Sequence, residues 1–211
     1  MMQRKQRVFV LTGILALVFI LAACSTSAPA ETAVLSQIPA SEGAETVAKL
    51  RQDVALVAGN LPADFPITIY QADGYQDSDE VMFSELLAEG KPVVLNFWAG
   101  LCPPCRVEMP DLQSVSDQYA DEILLFGLDV GPFTGLGSNE DARALLQTLS
   151  ITYPAGTTID PNVVREYGIL GMPTTYFITP DGNIQATWTG LLTREKLTEM
   201  VEDLLAASEN S

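Results

Sequence analysis

Alternating apolar runs and helical periodicities, closed by a hairpin and a final helix, predict an α/β fold: an α+β sandwich with a mixed central sheet flanked by helices. Three observations carry this expectation. Val93-Val94-Leu95-Asn96-Phe97-Trp98, entered through Pro92, is apolar at nearly every position, the pattern of a strand buried on both faces. Residues 123–130 repeat that pattern beyond a helical stretch. Near the C-terminus, Pro180-Asp181-Gly182-Asn183 supplies a turn between two short β-rich runs, and a helix follows.

The elements follow in order. Residues 1–7 hold Arg4, Lys5 and Arg7, and residues 8–23 are an apolar stretch shorter than the roughly 20 residues that span a bilayer. A basic start, an apolar middle and small residues at the end fit a secretory signal. Leu21-Ala22-Ala23-Cys24 resembles the lipobox of bacterial lipoproteins. That resemblance implies cleavage before Cys24 and a diacylglycerol on its sulfur; the alternative is an uncleaved helical anchor, and either tethers the chain outside the cytoplasmic membrane. Residues 24–60 read as a tether, rich in Ser, Thr, Ala and Pro over residues 25–38 and with helical spacing of Val47, Leu50, Val54 and Val57. A single domain is expected over residues 61–207.

Within that domain, residues 67–70 alternate as a strand, residues 74–79 form a polar turn, and residues 82–88 a short helix ending at Gly90. After Val93–Trp98 a helix covers residues 106–119, with a kink expected at Pro110, which has no N–H to donate. Three glycines and a proline make residues 131–139 a loop. A helix over 140–149, an extended piece over 153–158 and a helix over 161–167 closed by Gly168 come next. Residues 174–179 and 184–189 are the hairpin strands. Thr193 caps the last helix, whose Leu197, Met200, Val201, Leu204 and Leu205 form one stripe. No internal repeat is present.

The chain has 211 residues, 47% of them hydrophobic, and a formal net charge of −16 from 27 acidic and 11 basic residues. Nucleic-acid binding is excluded as a function class, because phosphate contacts need clustered Lys and Arg. An acidic surface favours neutral or basic protein partners, and it also simply keeps a domain in solution.

Cys102-Pro103-Pro104-Cys105 carries the chemistry. Two cysteines separated by two residues at a strand-to-helix junction can close into a small disulfide and reopen. The helix N-terminus stabilises a thiolate through its free N–H groups and dipole, and Pro suits the first turn, where an N–H would have no intrahelical partner. Half a zinc site and a purely structural bridge are the alternatives. Zinc needs about four ligands, and this chain has no histidine and one further cysteine, Cys24. A structural bridge usually closes a longer loop, which removes more chain entropy. No cofactor or metal is therefore called for.

Three segments in order, residues 96–105, Gly171-Met172-Pro173-Thr174-Thr175 and Phe177-Ile178-Thr179-Pro180-Asp181-Gly182, resemble the thioredoxin superfamily. Asp64-Phe65, Val107-Glu108-Met109-Pro110 and the added strand-helix material over 131–167 resemble its membrane-tethered thiol–disulfide oxidoreductases of the TlpA/ResA type. The resemblance implies a thioredoxin-like fold with an extra strand-helix insertion and an extra N-terminal strand. It implies that Cys102 is the exposed nucleophile and Cys105 the more buried resolving cysteine. Trp98, Pro103, Pro104 and the backbone of Met172 would face a bound substrate, and Pro173 would follow a cis peptide bond. Glu108, on the helical face of Cys105, would affect cysteine protonation without being essential to the fold; otherwise it is an ordinary solvated glutamate.

Two departures stand out. Asn96 occupies the place of the buried aspartate of thioredoxins and leaves Glu108 as the proton carrier, whereas Gly100-Leu101 replaces a pair ending in Trp. The resemblance implies an extracytoplasmic, lipid-anchored bacterial reductase that acts on protein thiols and disulfides, with a membrane protein as electron donor and apocytochrome c as one substrate. A peroxidase of the same fold would need Pro-x-x-x-Thr before its cysteine, absent here. A metal-delivery lipoprotein would want a histidine, and a non-catalytic binding module remains the other alternative.

Overall fold

The computed structural model describes residue 61 and residues 63–209. The expected signal segment (1–23), Cys24 and the tether (24–60) lie outside the described residues. Among those described, no helix is long and apolar enough to cross a membrane.

Among the described residues, seven strands form one mixed sheet: β1 Pro66–Gln71, β2 Glu80–Met82, β3 Val93–Trp98, β4 Leu124–Asp129, β5 Ala155–Thr157, β6 Thr174–Ile178 and β7 Ile184–Thr189, in the order β2-β1-β5-β4-β3-β6-β7. The helices are α1 Phe83–Leu87, α2 Pro103–Gln118, α3 Gly131–Thr134, α4 Asn139–Leu149, α5 Asn162–Glu166 and α6 Arg194–Ser208. Strand β3 pairs parallel with β4 and antiparallel with β6, and every one of its residues is buried. Its apolar run is thus explained by two covered faces. Val94 and Trp98 face a cluster with Met109, Leu112 and Val115 of α2, Leu145 and Leu146 of α4, and Leu197, Val201 and Leu204 of α6. Val93, Leu95 and Phe97 face the other cluster, with Phe83 and Leu87 of α1 and Val163 of α5. Phe65, Phe97, Tyr167 and Tyr176 pack there with ring centroids 5.2–5.8 Å apart.

The N-terminal strand β1 does not join the sheet at β3. It pairs antiparallel with β5, the strand of the expected insertion, and β5 runs parallel to β4. Each added piece therefore covers the other's edge. Gly156 permits this approach, since a Cβ there would stand 2.6 Å from the carbonyl oxygen of Thr68.

The structure differs from the expected elements in three places. Residues 80–82 are strand β2, paired with β1; Met82 ends this strand and is also the N-cap of α1, so the expected short helix stands. A three-residue edge strand with an exposed, charged Glu80 has too little pattern to announce itself. The glycine-rich loop contains the short helix α3, with Pro132 in its first turn and Gly135 ending it at φ 71°. Helix α2 begins at Pro103, earlier than the expected Arg106, and runs past Pro110 to Gln118. Buried Met109 and Leu112 on either side hold that turn against the core.

The turn that leaves β3 is pressed against α4. A Cβ at Gly100 would lie 2.5 Å from the backbone nitrogen of Ala142 and 2.6 Å from the carbonyl carbon of Asp141. Backbone cannot swing aside, so Gly100→Ala should destabilise the domain by ~1–3 kcal/mol, the usual cost of overpacking. Urea unfolding of the two proteins measures this; an unchanged midpoint would show that the turn moves freely.

Candidate active site

Strand β3 ends at Trp98, and the chain turns at once, the N–H of Cys102 donating to the carbonyl of Ala99 at 3.1 Å. Cys102 is the N-cap of α2, in extended conformation at φ −84° and ψ 110°. Its Sγ accepts from the backbone N–H of Cys105 at 3.3 Å, and the two cysteines are joined by a disulfide. Sulfur thus occupies the place where a serine or aspartate oxygen normally caps a helix, facing the positive end of the dipole. Pro103 and Pro104 form the exposed first turn.

The expected contrast between an exposed and a buried cysteine is slight. Cys102 is 3% exposed and Cys105 0%. The disulfide is drawn under the first turn, so only an edge of Cys102 reaches solvent. Trp98, expected among substrate-facing side chains, is 0% exposed. It lies behind the disulfide in the core and cannot touch a docked chain in this state.

The Met172–Pro173 peptide bond is cis. Thr174 pairs with Phe97 across β3 and β6, so Met172 and Pro173 arrive at the end of β3 that leads into Cys102. The carbonyl of Pro173 accepts from Gly190 N–H at 2.8 Å, fixing this loop to β7's exit, and Met172 is half-buried between the two core clusters.

Glu108 is no surface residue. It is 1% exposed on the same inward face of α2 as Cys105. The Nδ2 of Asn96 donates to its Oε1 at 2.9 Å, and the backbone N–H of Leu192 donates to its Oε2 at 3.0 Å. Asn96 also donates to Thr175 Oγ1 on β6 at 3.0 Å. Burial pushes the Glu108 carboxyl up to about 7, against the two hydrogen bonds, which favour the charged form. A group that exchanges protons near neutrality is suited to general acid–base work. Its burial and its ties to β3 and the Leu192 segment overturn the alternative of an ordinary solvated glutamate.

Sequence reasoning missed three contributors. Leu192 acts through its backbone, which carries no sequence signal. Tyr153 is buried, and its hydroxyl, Asn96 Oδ1 and Trp98 Nε1 are buried polar atoms without a hydrogen-bond partner among the described residues. All three belong to the core face that holds the cysteines. Asp129 ends β4 beside Trp98 and is fully buried; an acid closing an otherwise apolar strand was the signal available for it.

The sequence matches the AhpC/TSA family over residues 63–187. The thiol-disulfide oxidoreductase ResA of Oceanobacillus iheyensis is 34% identical over 149 residues, covering 69% of this chain and 72% of that protein. A crystal structure of a thiol:disulfide interchange protein of the thioredoxin family from Chlorobium tepidum superposes with a TM-score of 0.54 at 25% identity, covering 70% of this chain and 99% of the other. The exposed lipoprotein thioredoxin of Streptococcus pneumoniae gives a TM-score of 0.56 at 22% identity over 67% of this chain and 99% of the other, a likeness of fold.

Burial of Glu108 has a signed consequence for stability. Between its ordinary value of 4.5 and about 7 the folded protein holds a proton that the unfolded chain has released. Stability therefore falls as pH rises through that window, by up to ~3 kcal/mol from this group. In Glu108→Gln this loss should vanish, so the variant gains on the wild type between about pH 4 and pH 8. Urea unfolding of the oxidised proteins at both pH values tests it; a constant difference would place the carboxyl at its ordinary value.

Proposed function

The chain belongs to the AhpC/TSA family and is a thiol–disulfide oxidoreductase of the ResA type, and from this we propose that it exchanges disulfides with protein substrates through Cys102 and Cys105. The observation that supports this best is the disulfide itself, whose outer sulfur caps α2 while a buried carboxyl sits one turn deeper. A peroxidase of this fold would need Pro-x-x-x-Thr before its cysteine, which the run from Val93 to Leu101 does not contain.

In the reducing direction, the Cys102 thiolate attacks one sulfur of a substrate disulfide. That S–S bond breaks, a mixed disulfide forms, and the departing substrate sulfur takes a proton. Cys105 then loses its proton, with Glu108 as acceptor, and attacks the Cys102 sulfur. The second substrate thiol leaves, and two electrons have passed to the substrate. Met172 and Pro173, at the same end of the sheet, are assigned to hold the substrate backbone, with Pro103 and Pro104 as the outer wall. Trp98 supports the turn from behind.

The direction of exchange, the location and the partners rest on sequence. The basic and apolar N-terminal segment with Leu21-Ala22-Ala23-Cys24 supports a lipid-anchored protein on the outer side of the cytoplasmic membrane. One relative of the same fold is itself an exposed lipoprotein. We assign it the reductase direction, with electrons from a membrane thiol donor and disulfide-bonded apocytochrome c among its substrates.

Cys102→Ser should abolish insulin reduction with dithiothreitol, and Cys105→Ser should accumulate mixed disulfides visible on non-reducing gels. Trapping by Cys102→Ser instead would exchange the two roles. Cys24→Ala should lose labelled-lipid incorporation and processing before residue 24; an unmodified Cys24 in mature membrane-derived protein would remove the anchor.

A further inference from the structure

A second buried carboxyl lies on the disulfide side of the sheet. Asp129 accepts from the Tyr70 hydroxyl of β1 at Oδ2 and from the backbone N–H of Gly131 at Oδ1, both at 2.9 Å. From β5, the Thr157 hydroxyl donates to its backbone carbonyl at 3.0 Å. From α4, Asp141 adds negative charge nearby, and Arg143 lies 4.2 Å above the Tyr70 ring while pairing with Asp77 at 2.7 Å. The exchange steps use none of these groups.

What Asp129 holds leads to Cys102. Gly131 opens α3, and its carbonyl accepts from Leu136 N–H at 3.2 Å. The carbonyl of Leu136 in turn accepts from Leu101 N–H at 2.7 Å, and Leu101 precedes Cys102. A Cβ at Gly131 would lie 3.0 Å from Asp129 Oδ1 and 3.3 Å from Ala99 Cβ, so the start of α3 is wedged between the carboxyl and the turn that carries Cys102. Val130 N–H closes the arrangement on the Trp98 carbonyl at 2.9 Å.

We propose that Asp129 is a positioning residue for disulfide exchange: through Gly131 and Leu136 its carboxylate fixes the peptide leading into Cys102, and protonation loosens it. The proposal rests on the reading of Cys102 as nucleophile. A charged acceptor holds an N–H about twice as strongly as a neutral one. Burial raises the Asp129 carboxyl to about 6, with the Gly131 and Tyr70 bonds opposing and Asp141 adding to it, so the change falls in mildly acidic solution.

The test is the rate at which iodoacetamide alkylates Cys102 in the reduced full chain, from about pH 5 to pH 8. Asp129→Asn keeps the volume, an acceptor for Gly131 and a donor for Tyr70, so the fold persists. It should match wild type at about pH 5, where both side chains are neutral, and react roughly two- to fivefold more slowly at pH 8, the difference between a charged and a neutral hydrogen bond. Tyr70→Phe removes a bond that favours the carboxylate, so the inflection should move to higher pH. Equal rates throughout, or slowing by one factor at every pH, would overturn the proposal. So would faster reaction of Asp129→Asn, which would mean repulsion through space. A wild-type chain that shows the inflection but reduces no insulin would refute the functional reading and leave the Asp129 coupling standing.

Discussion

Complete burial of β3 governs the site. With both faces covered and both edges paired, the strand has no freedom to slide, because a shift of one residue would send Asn96 and Trp98 to the opposite cluster. Its end is therefore fixed, and so is the point where the chain must turn. Cys102 comes directly after that turn and caps α2 with its sulfur. The position of the reactive sulfur is thus set by sheet register before any interaction specific to sulfur is made.

The same burial explains why polar side chains on this face are tuned instead of excluded. Glu108 and Asp129 each receive two hydrogen bonds that favour the anion, yet desolvation outweighs them in both and lifts the two carboxyls toward neutrality. They reach different parts of the machinery. Glu108 faces inward on the helix that carries Cys105, and Asp129 grips the segment that holds Leu101. Asn96 in place of an aspartate keeps the centre of β3 uncharged while still donating to Glu108 and Thr175. A third buried acid beside these two would have raised the desolvation cost further and coupled their titrations.

Strands with a continuous apolar run and helices with a clean stripe were legible. β3, β4, β6, β7 and α6 lie where the pattern put them, and Thr193 caps α6 through Lys196 N–H at 3.3 Å. Short elements stabilised from outside were not. β2 exists because β1 offers it an edge, α3 because Pro132 and Gly135 fit one helical turn under the Asp129 carboxyl. Pro110 lies inside α2, and with Met109 and Leu112 buried beside it the helix continues to Gln118.

By itself the sequence determined the strand–cysteine–proline–proline–cysteine–helix order, because apolar runs, Pro at a helix start and paired cysteines act over a few residues. It also determined the kind of chemistry, since two thiols at that spacing close on each other without distant help. Tertiary structure alone decided what surrounds them. The burial of Glu108 depends on Asn96 and on the backbone of Leu192, 84 residues away along the chain. The concealment of Trp98 and the meeting of Tyr70 with Asp129, 59 residues apart, are likewise products of packing. Desolvation and long-range hydrogen bonds are properties of the assembled sheet, and local sequence has no means of expressing them.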